Sequence, residues 1–142
     1  MFCREQAARI ASITPEIIAL GGLVYAIGNG SKPMAEDFAE RFQIPFPLLT
    51  DPQRNTYAAA GMRRNLGLGP SSIIKAGRAL AGGHRQGATQ GDVWQQGGVL
   101  IIDPAKTVLL FHADRSAGDH LPLAPITQVF KDYRRQQNAG NY

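Results

Sequence analysis

Two apolar runs near the end of the chain constrain it most: Val99-Leu100-Ile101-Ile102 and Thr107-Val108-Leu109-Leu110-Phe111, separated only by Asp103-Pro104-Ala105-Lys106. Each run has strand length, and a four-residue connection leaves no room for a crossover. The pair predicts an antiparallel hairpin. An earlier run, Leu23-Val24-Tyr25-Ala26-Ile27, is uninterrupted and bounded by Gly21-Gly22 and Gly28. That pattern suits a strand buried on both faces of a parallel sheet. Strands of both kinds in one chain predict an α/β protein with a mixed β-sheet flanked by helices.

The helices follow from spacing and caps. Cys3 to about Leu20 reads as helical, with Ala7, Ile10 and Ala11 on one face and Arg4, Glu5 and Arg9 towards water. Pro15 is expected to break it, leaving Thr14 to cap a short second turn. Ser31 or Lys32 opens a further helix in which Met34, Phe38 and Phe42 recur every four residues as a buried stripe. Phe46-Pro47-Leu48-Leu49 reads as a short edge strand, and Asp51-Pro52 caps a helix that stops at Gly61. Ser71 or Ser72 can start a helix to about Leu80, and residues 84–96 form a loop long enough to suggest function. The chain closes with a helix over about 125–135 that buries Ile126, Val129, Phe130 and Tyr133, and a frayed tail over 137–142.

With 142 residues, the chain is read as a single domain, 1–142. Its one cysteine excludes an intramolecular disulfide and a two-cysteine zinc site, and no cofactor is expected. No apolar run spans a membrane and the first residues lack a secretory pattern, so a cytoplasmic protein with a free thiol is expected. The formal charge is +4, and Pro52 to Gly91 holds no Asp or Glu while carrying Arg54, Arg63, Arg64, Lys75, Arg78 and Arg85. That tract reads as a solvated basic face, or as a surface for an anion, an acidic partner or a thiolate. Without interleaved aromatics a nucleic-acid platform is the weaker reading of that tract.

The order helix, strand, helix, short strand, helices, hairpin, helix, together with four segments, carries a resemblance. Cys3-Arg4-Glu5-Gln6-Ala7-Ala8, Ala26-Ile27-Gly28, Phe42 to Phe46 with Leu49-Thr50-Asp51-Pro52, and Gly87 to Asp103 resemble the peroxiredoxin-like branch of the alkyl hydroperoxide reductase/thiol-specific antioxidant (AhpC/TSA) family. The resemblance implies a thioredoxin-like fold ending in a β-hairpin and a C-terminal helix. It also implies a central first strand and a Cys-x-x-Cys motif at the first helix. Cys3 matches the second cysteine of that motif, so the strand and the first cysteine would precede Met1.

Cys3 is the expected catalytic residue. A helix N-terminus and the adjacent Arg4 both favour a thiolate, the species that attacks a peroxide or a disulfide. With no second cysteine, an external glutathione- or thioredoxin-like thiol would regenerate it. The alternative is an inert terminal thiol. Trp94, Gln95 and Gln96 precede the hairpin, which in this topology brings them to the cysteine, where they would shape a pocket or bond a substrate oxygen. Trp94 otherwise only covers the sheet end, and Arg85 either stands near the thiolate or faces solvent. His84, His112 and His120 lack metal-ligand spacing and are read as surface or hydrogen-bonded side chains. Gly28-x-Gly30 lacks the rest of a dinucleotide fingerprint, and Asp114, Asp119 and Glu36 show no carboxylate pairing. The functional expectation is a thiol oxidoreductase. The rival is a redox-inactive scaffold that forms a homodimer through exposed sheet edges.

Overall fold

A computed structural model describes residues 2–64, 95–115 and 119–140. The expected helix over 71–80, most of the 84–96 loop, Arg85 and Trp94 lie outside these residues. The elements are α1 (Phe2–Ala19), β1 (Ala26–Gly28), α2 (Lys32–Arg41), β2 (Leu48–Thr50), α3 (Asn55–Ala59), β3 (Gly98–Ile102), β4 (Val108–Ala113) and α4 (Leu123–Ala139).

The hairpin forms as expected. β3 and β4 pair antiparallel, with Gly98 opposite Ala113 and Leu100 opposite Phe111. Its turn is held by Asp103, whose carboxylate accepts the Thr107 N–H at 2.7 Å and whose carbonyl accepts the Lys106 N–H at 2.9 Å. Lys106 takes the left-handed conformation (φ 67°), and the register shifts between Ile101 and Ile102, as a turn followed by a bulge requires.

Helix α1 corrects one expectation. It runs unbroken through Pro15, although the Ala11 carbonyl loses its main-chain donor. The Thr14 hydroxyl does not cap a new turn; it donates back to the Ile10 carbonyl at 2.9 Å. Thr14 and Ile17 are nearly inaccessible to solvent, and burial of that face outweighs the local cost of the proline. Ile17 meets Ile101 and Ile126, so this half of α1 is fixed by the hairpin and α4. Lys131 pairs with Glu16 at 2.9 Å and Arg134 donates to the Ala19 carbonyl at 2.9 Å, tying α4 along α1.

β1 also departs from expectation. Only Ala26–Gly28 form a strand, pairing parallel with β2 so that Ala26 meets Leu48. From Leu23 to Ile27 burial alternates, with Leu23, Tyr25 and Ile27 exposed. The run is therefore half-buried rather than buried on both faces: its even positions pack towards the helices and no described element covers its odd ones. The same holds for Leu100 and Phe111 on the hairpin. In α2, Phe38 is buried but Phe42 is exposed at the C-cap, its ring 4.8 Å from that of Phe38. α4 extends to Ala139, so residues 137–139 are helical rather than frayed.

Among the described residues the strands form two two-stranded sheets, β1–β2 and β3–β4, not one continuous sheet. One core cluster joins Ala7, Phe38 and Phe46 over β1–β2; the other joins Ile17, Ile101 and Ile126 over the hairpin. Ile10 of α1 and Val24 belong to both, so α1 and the approach to β1 connect the halves. Among the described residues no helix is long and apolar enough to cross a membrane.

Candidate functional site at the carboxyl ends of the parallel strands

The direction of α1 decides where its first turn lies. Gly22 donates to the Ile17 carbonyl at 2.9 Å, reversing the chain after the helix, while Ala7 packs with Ala26 and Leu48. α1 and β1 therefore run oppositely, and the first turn of α1, with Cys3 and Arg4, is carried towards the carboxyl ends of β1 and β2. In open α/β sheets this is where ligands bind.

The connection after β2 is built at the same end. The Asp51 N–H donates to the Gly28 carbonyl at 2.7 Å, and the Asp51 carboxylate accepts the Thr56 N–H at 2.7 Å. It thus holds the first turn of α3 from a distance, whereas the N-cap itself is Arg54 in the left-handed region (φ 63°) and the helix starts at Asn55, later than Asp51-Pro52 predicted. Burial pushes the Asp51 carboxyl up, but hydrogen bonds from Thr56, Asn55 and Arg54 outweigh it and hold the group below its usual value. Tyr57, in α3, donates its hydroxyl to the Ile27 carbonyl at 2.7 Å.

The chain then reaches the start of the hairpin. Arg64 and Gln95 form an antiparallel bridge, and the Gln96 N–H donates to the Arg63 carbonyl at 3.1 Å. Gln95 stands just ahead of the hairpin, and its amide is directed at main-chain carbonyls: Gln96 at 3.3 Å, Arg63 at 3.4 Å and Met62 at 3.5 Å. It closes the connection. Gln96, expected beside Gln95 ahead of the hairpin, does more. Its Oε1 accepts the Arg63 N–H at 3.0 Å and its Nε2 donates to the Asp114 carbonyl at 2.8 Å. One side chain thus spans the connection, β3 and the end of β4.

The amino end of α1, the carboxyl ends of β1 and β2 and the bridged polar connection at the start of the hairpin are thus the elements available for thiol chemistry. The apolar surface grooves lie elsewhere, one beside Ile18, Leu23 and Tyr25 and one between α2 and β2. No group of three or more His, Cys, Asp or Glu among the described residues is arranged to hold a metal ion. His120, read as a surface or hydrogen-bonded side chain, is instead only 4% exposed and lies against Asp114, with neither ring nitrogen hydrogen-bonded. The Asp114 signal was present in the sequence: His112 and Asp114 are two residues apart where a strand ends, a spacing that keeps side chains on one face in extended chain.

Known proteins supply the context. The sequence model of the family described as "AhpC/TSA antioxidant enzyme" matches residues 9–116, a span that starts after Cys3. The chain is 28% identical over 144 residues to "Peroxiredoxin-like 2C" of Takifugu rubripes, covering 89% of this chain and 63% of that one. It is 30% identical over 134 residues to "Prostamide/prostaglandin F synthase" of Salmo salar, covering 89% and 66%. With "Peroxiredoxin-like 2A" of Rattus norvegicus it shares 31% identity over 145 residues, covering 97% and 61%. The chain thus spans about three fifths of the length of the peroxiredoxin-like relatives it matches.

Proposed function

Because the chain belongs to the AhpC/TSA antioxidant-enzyme family and carries its thioredoxin-like α/β fold, we propose that it is a peroxiredoxin-like thiol oxidoreductase reducing a peroxide or a disulfide through Cys3. The observation that carries this reading is that Cys3, the single cysteine, falls in the first turn of the 18-residue helix α1. Unpaired N–H groups and the macrodipole at a helix start favour the thiolate over the thiol.

With a peroxide, the thiolate attacks one peroxide oxygen. The S–O bond forms as the O–O bond breaks, and the leaving alkoxide or hydroxide takes a proton. Sulfur is oxidised by two electrons to a sulfenic acid. An external thiol condenses with it, releasing water and leaving a mixed disulfide; a second thiol displaces Cys3 and departs as the external disulfide. A glutathione- or thioredoxin-like molecule supplies both thiols. Arg4 assists through its charge, and Arg85, Trp94 and Gln95 complete the substrate environment.

Trapping tests the reading directly. Hydrogen peroxide followed by a sulfenic-acid-selective diketone should label Cys3, and Cys3→Ser should remove the label. Absence of label on the wild-type protein, or a Cys3 thiol titrating at or above about 8.5, overturns the proposal.

A second reading rests on the two separate sheets. β1 and β3 each have one ladder partner among the described residues, and Leu100, Phe111, Tyr25 and Ile27 are exposed beside them. Such edges favour strand addition, so a redox-inactive scaffold that dimerises through them is the alternative. A light-scattering mass of one chain across a wide concentration range counts against it.

A further inference from the structure

Asp114 follows the last residue of β4 and is buried between two imidazoles. Its Oδ1 lies 3.4 Å from His112 Nε2 and its Oδ2 lies 3.6 Å from His120 Nδ1. His112 Nε2 also faces the Asp119 carbonyl at 3.2 Å. With acceptors on both contacts, that nitrogen is the one that carries the ring proton in neutral His112. The Asp114 side chain is 10% exposed and that of His120 4%. Asp114 Oδ1 and both His120 ring nitrogens are buried without a hydrogen-bond partner. A carboxylate, two imidazoles and three unpartnered atoms leave the cluster with more proton-accepting positions than protons. Burying such groups unpaired is costly.

Among the described residues the charges acting on Asp114 are those of His120, His112 and Asp119, and the side chain of the neighbouring Arg115 is exposed. The first two turns of α4, packed against β4, hold no ionisable side chain, and its Lys131 and Arg134 are committed to α1. β3 has none. In the turn after β4, Asp119 adds a like charge that disfavours ionised Asp114, and its carboxylate accepts the Arg115 N–H at 2.9 Å.

The main chain of Asp114 connects the cluster to the candidate site. Its N–H donates to the Gly97 carbonyl at 2.9 Å and its carbonyl accepts from Gln96 Nε2 at 2.8 Å. Through Gln96 it reaches Arg63, where the connection after α3 meets the hairpin.

We propose that His112, Asp114 and His120 form a proton-operated latch: one proton taken up by the cluster locks the end of β4 to Gln96 and Gly97, and its loss loosens that junction. The proton, shared among three groups within 3.6 Å of one another's partners, turns bare contacts into charge-assisted hydrogen bonds. Burial also pushes the Asp114 carboxyl above its usual value, with the histidines opposing that shift. The latch is independent of whether Cys3 is reactive.

Hydrogen exchange at single amides, corrected for intrinsic pH dependence, provides the test. Protection of the Asp114 amide should rise several-fold from about pH 8 to about pH 5, across the ordinary imidazole range. Asp114→Asn should abolish the rise. His120→Gln should reduce it, and where that variant fails to fold, His112→Gln at the more exposed ring serves instead. A flat wild-type profile overturns the proposal, as does an equal rise at the mid-hairpin pair Leu100 and Phe111, which would mark a global change. Retention of the full rise in Asp114→Asn overturns it too.

Discussion

The hydroxyl of Tyr57 donates to the main-chain carbonyl of Ile27 across 2.7 Å, although the residues are 30 apart in sequence. In β1, Ala26 and Gly28 bond towards β2, through Pro47 and Asp51. Ile27 therefore points its N–H and carbonyl to the other edge, away from β2. Tyr57 occupies part of that edge and fixes α3 over the end of the strand.

Tyr57→Phe keeps the ring and removes the bond. It should destabilise the protein by at most about 1 kcal/mol, the usual net worth of such a bond near the surface. It should also increase exchange of the amides in α3 more than those of the hairpin. Chemical denaturation with amide exchange on the same variant checks both.

Asp51 makes the acid limb of stability informative. Its folded-state pKa is depressed, burial being outweighed by hydrogen bonds from Thr56, Asn55 and Arg54. A depressed carboxyl contributes stability that is present above its unfolded value, 3.8, and is lost as pH falls through the lower folded value. Asp51→Asn should therefore lower the thermal midpoint at neutral pH and converge on the wild type in acid. Parallel midpoint curves across that range would contradict the assignment.

The elements visible in the sequence are those whose causes are local. Asp103 and Lys106 build the hairpin turn within five residues, so the apolar runs and turn chemistry were enough to place β3 and β4. Asp51 bonds the first turn of α3 within five residues for the same reason, although the N-cap falls at Arg54. Pro15 misled because its penalty is local while its compensation is not: Ile17 is buried with Ile101 of the hairpin and Ile126 of α4, beyond the reach of a helix rule. Leu23 to Ile27 misled because an unbroken apolar run does not reveal which faces will be covered. At the site, Gln95 was identified from a resemblance, yet its amide is turned to main-chain carbonyls. Gln96 bonds Arg63 across 33 residues, and Tyr57 and His120 meet their partners only in the folded chain.

Gln96 is the residue through which the connection and the hairpin share hydrogen bonds. Gln96→Leu retains bulk but leaves the Arg63 N–H and the Asp114 carbonyl without their side-chain partner. It should cost about 1–3 kcal/mol, the penalty for orphaned polar groups that are partly buried. Denaturant midpoints should show this loss, and the Gly97 and Asp114 amides should exchange faster while α1 and α4 remain protected.

Gly98 opens β3 opposite Ala113, and its lack of a side chain is required by close approach rather than by its dihedral angles. A Cβ there would collide with the His112 carbonyl and meet the Ala113 Cα at 3.1 Å, besides crowding the Met62 side chain. Met62 can rotate away, but the two main-chain groups belong to the paired strand and can yield only by opening the ladder. Gly98→Ala should therefore destabilise by about 1–3 kcal/mol, the range for overpacking, despite alanine's smaller entropy cost on folding. The damage should centre on the Gly98–Ala113 end and spare the Asp103–Thr107 turn, which amide exchange along the two strands resolves. Unchanged stability would mean that the strands separate here at no cost, and that Gln96, rather than the ladder, holds this end of the hairpin.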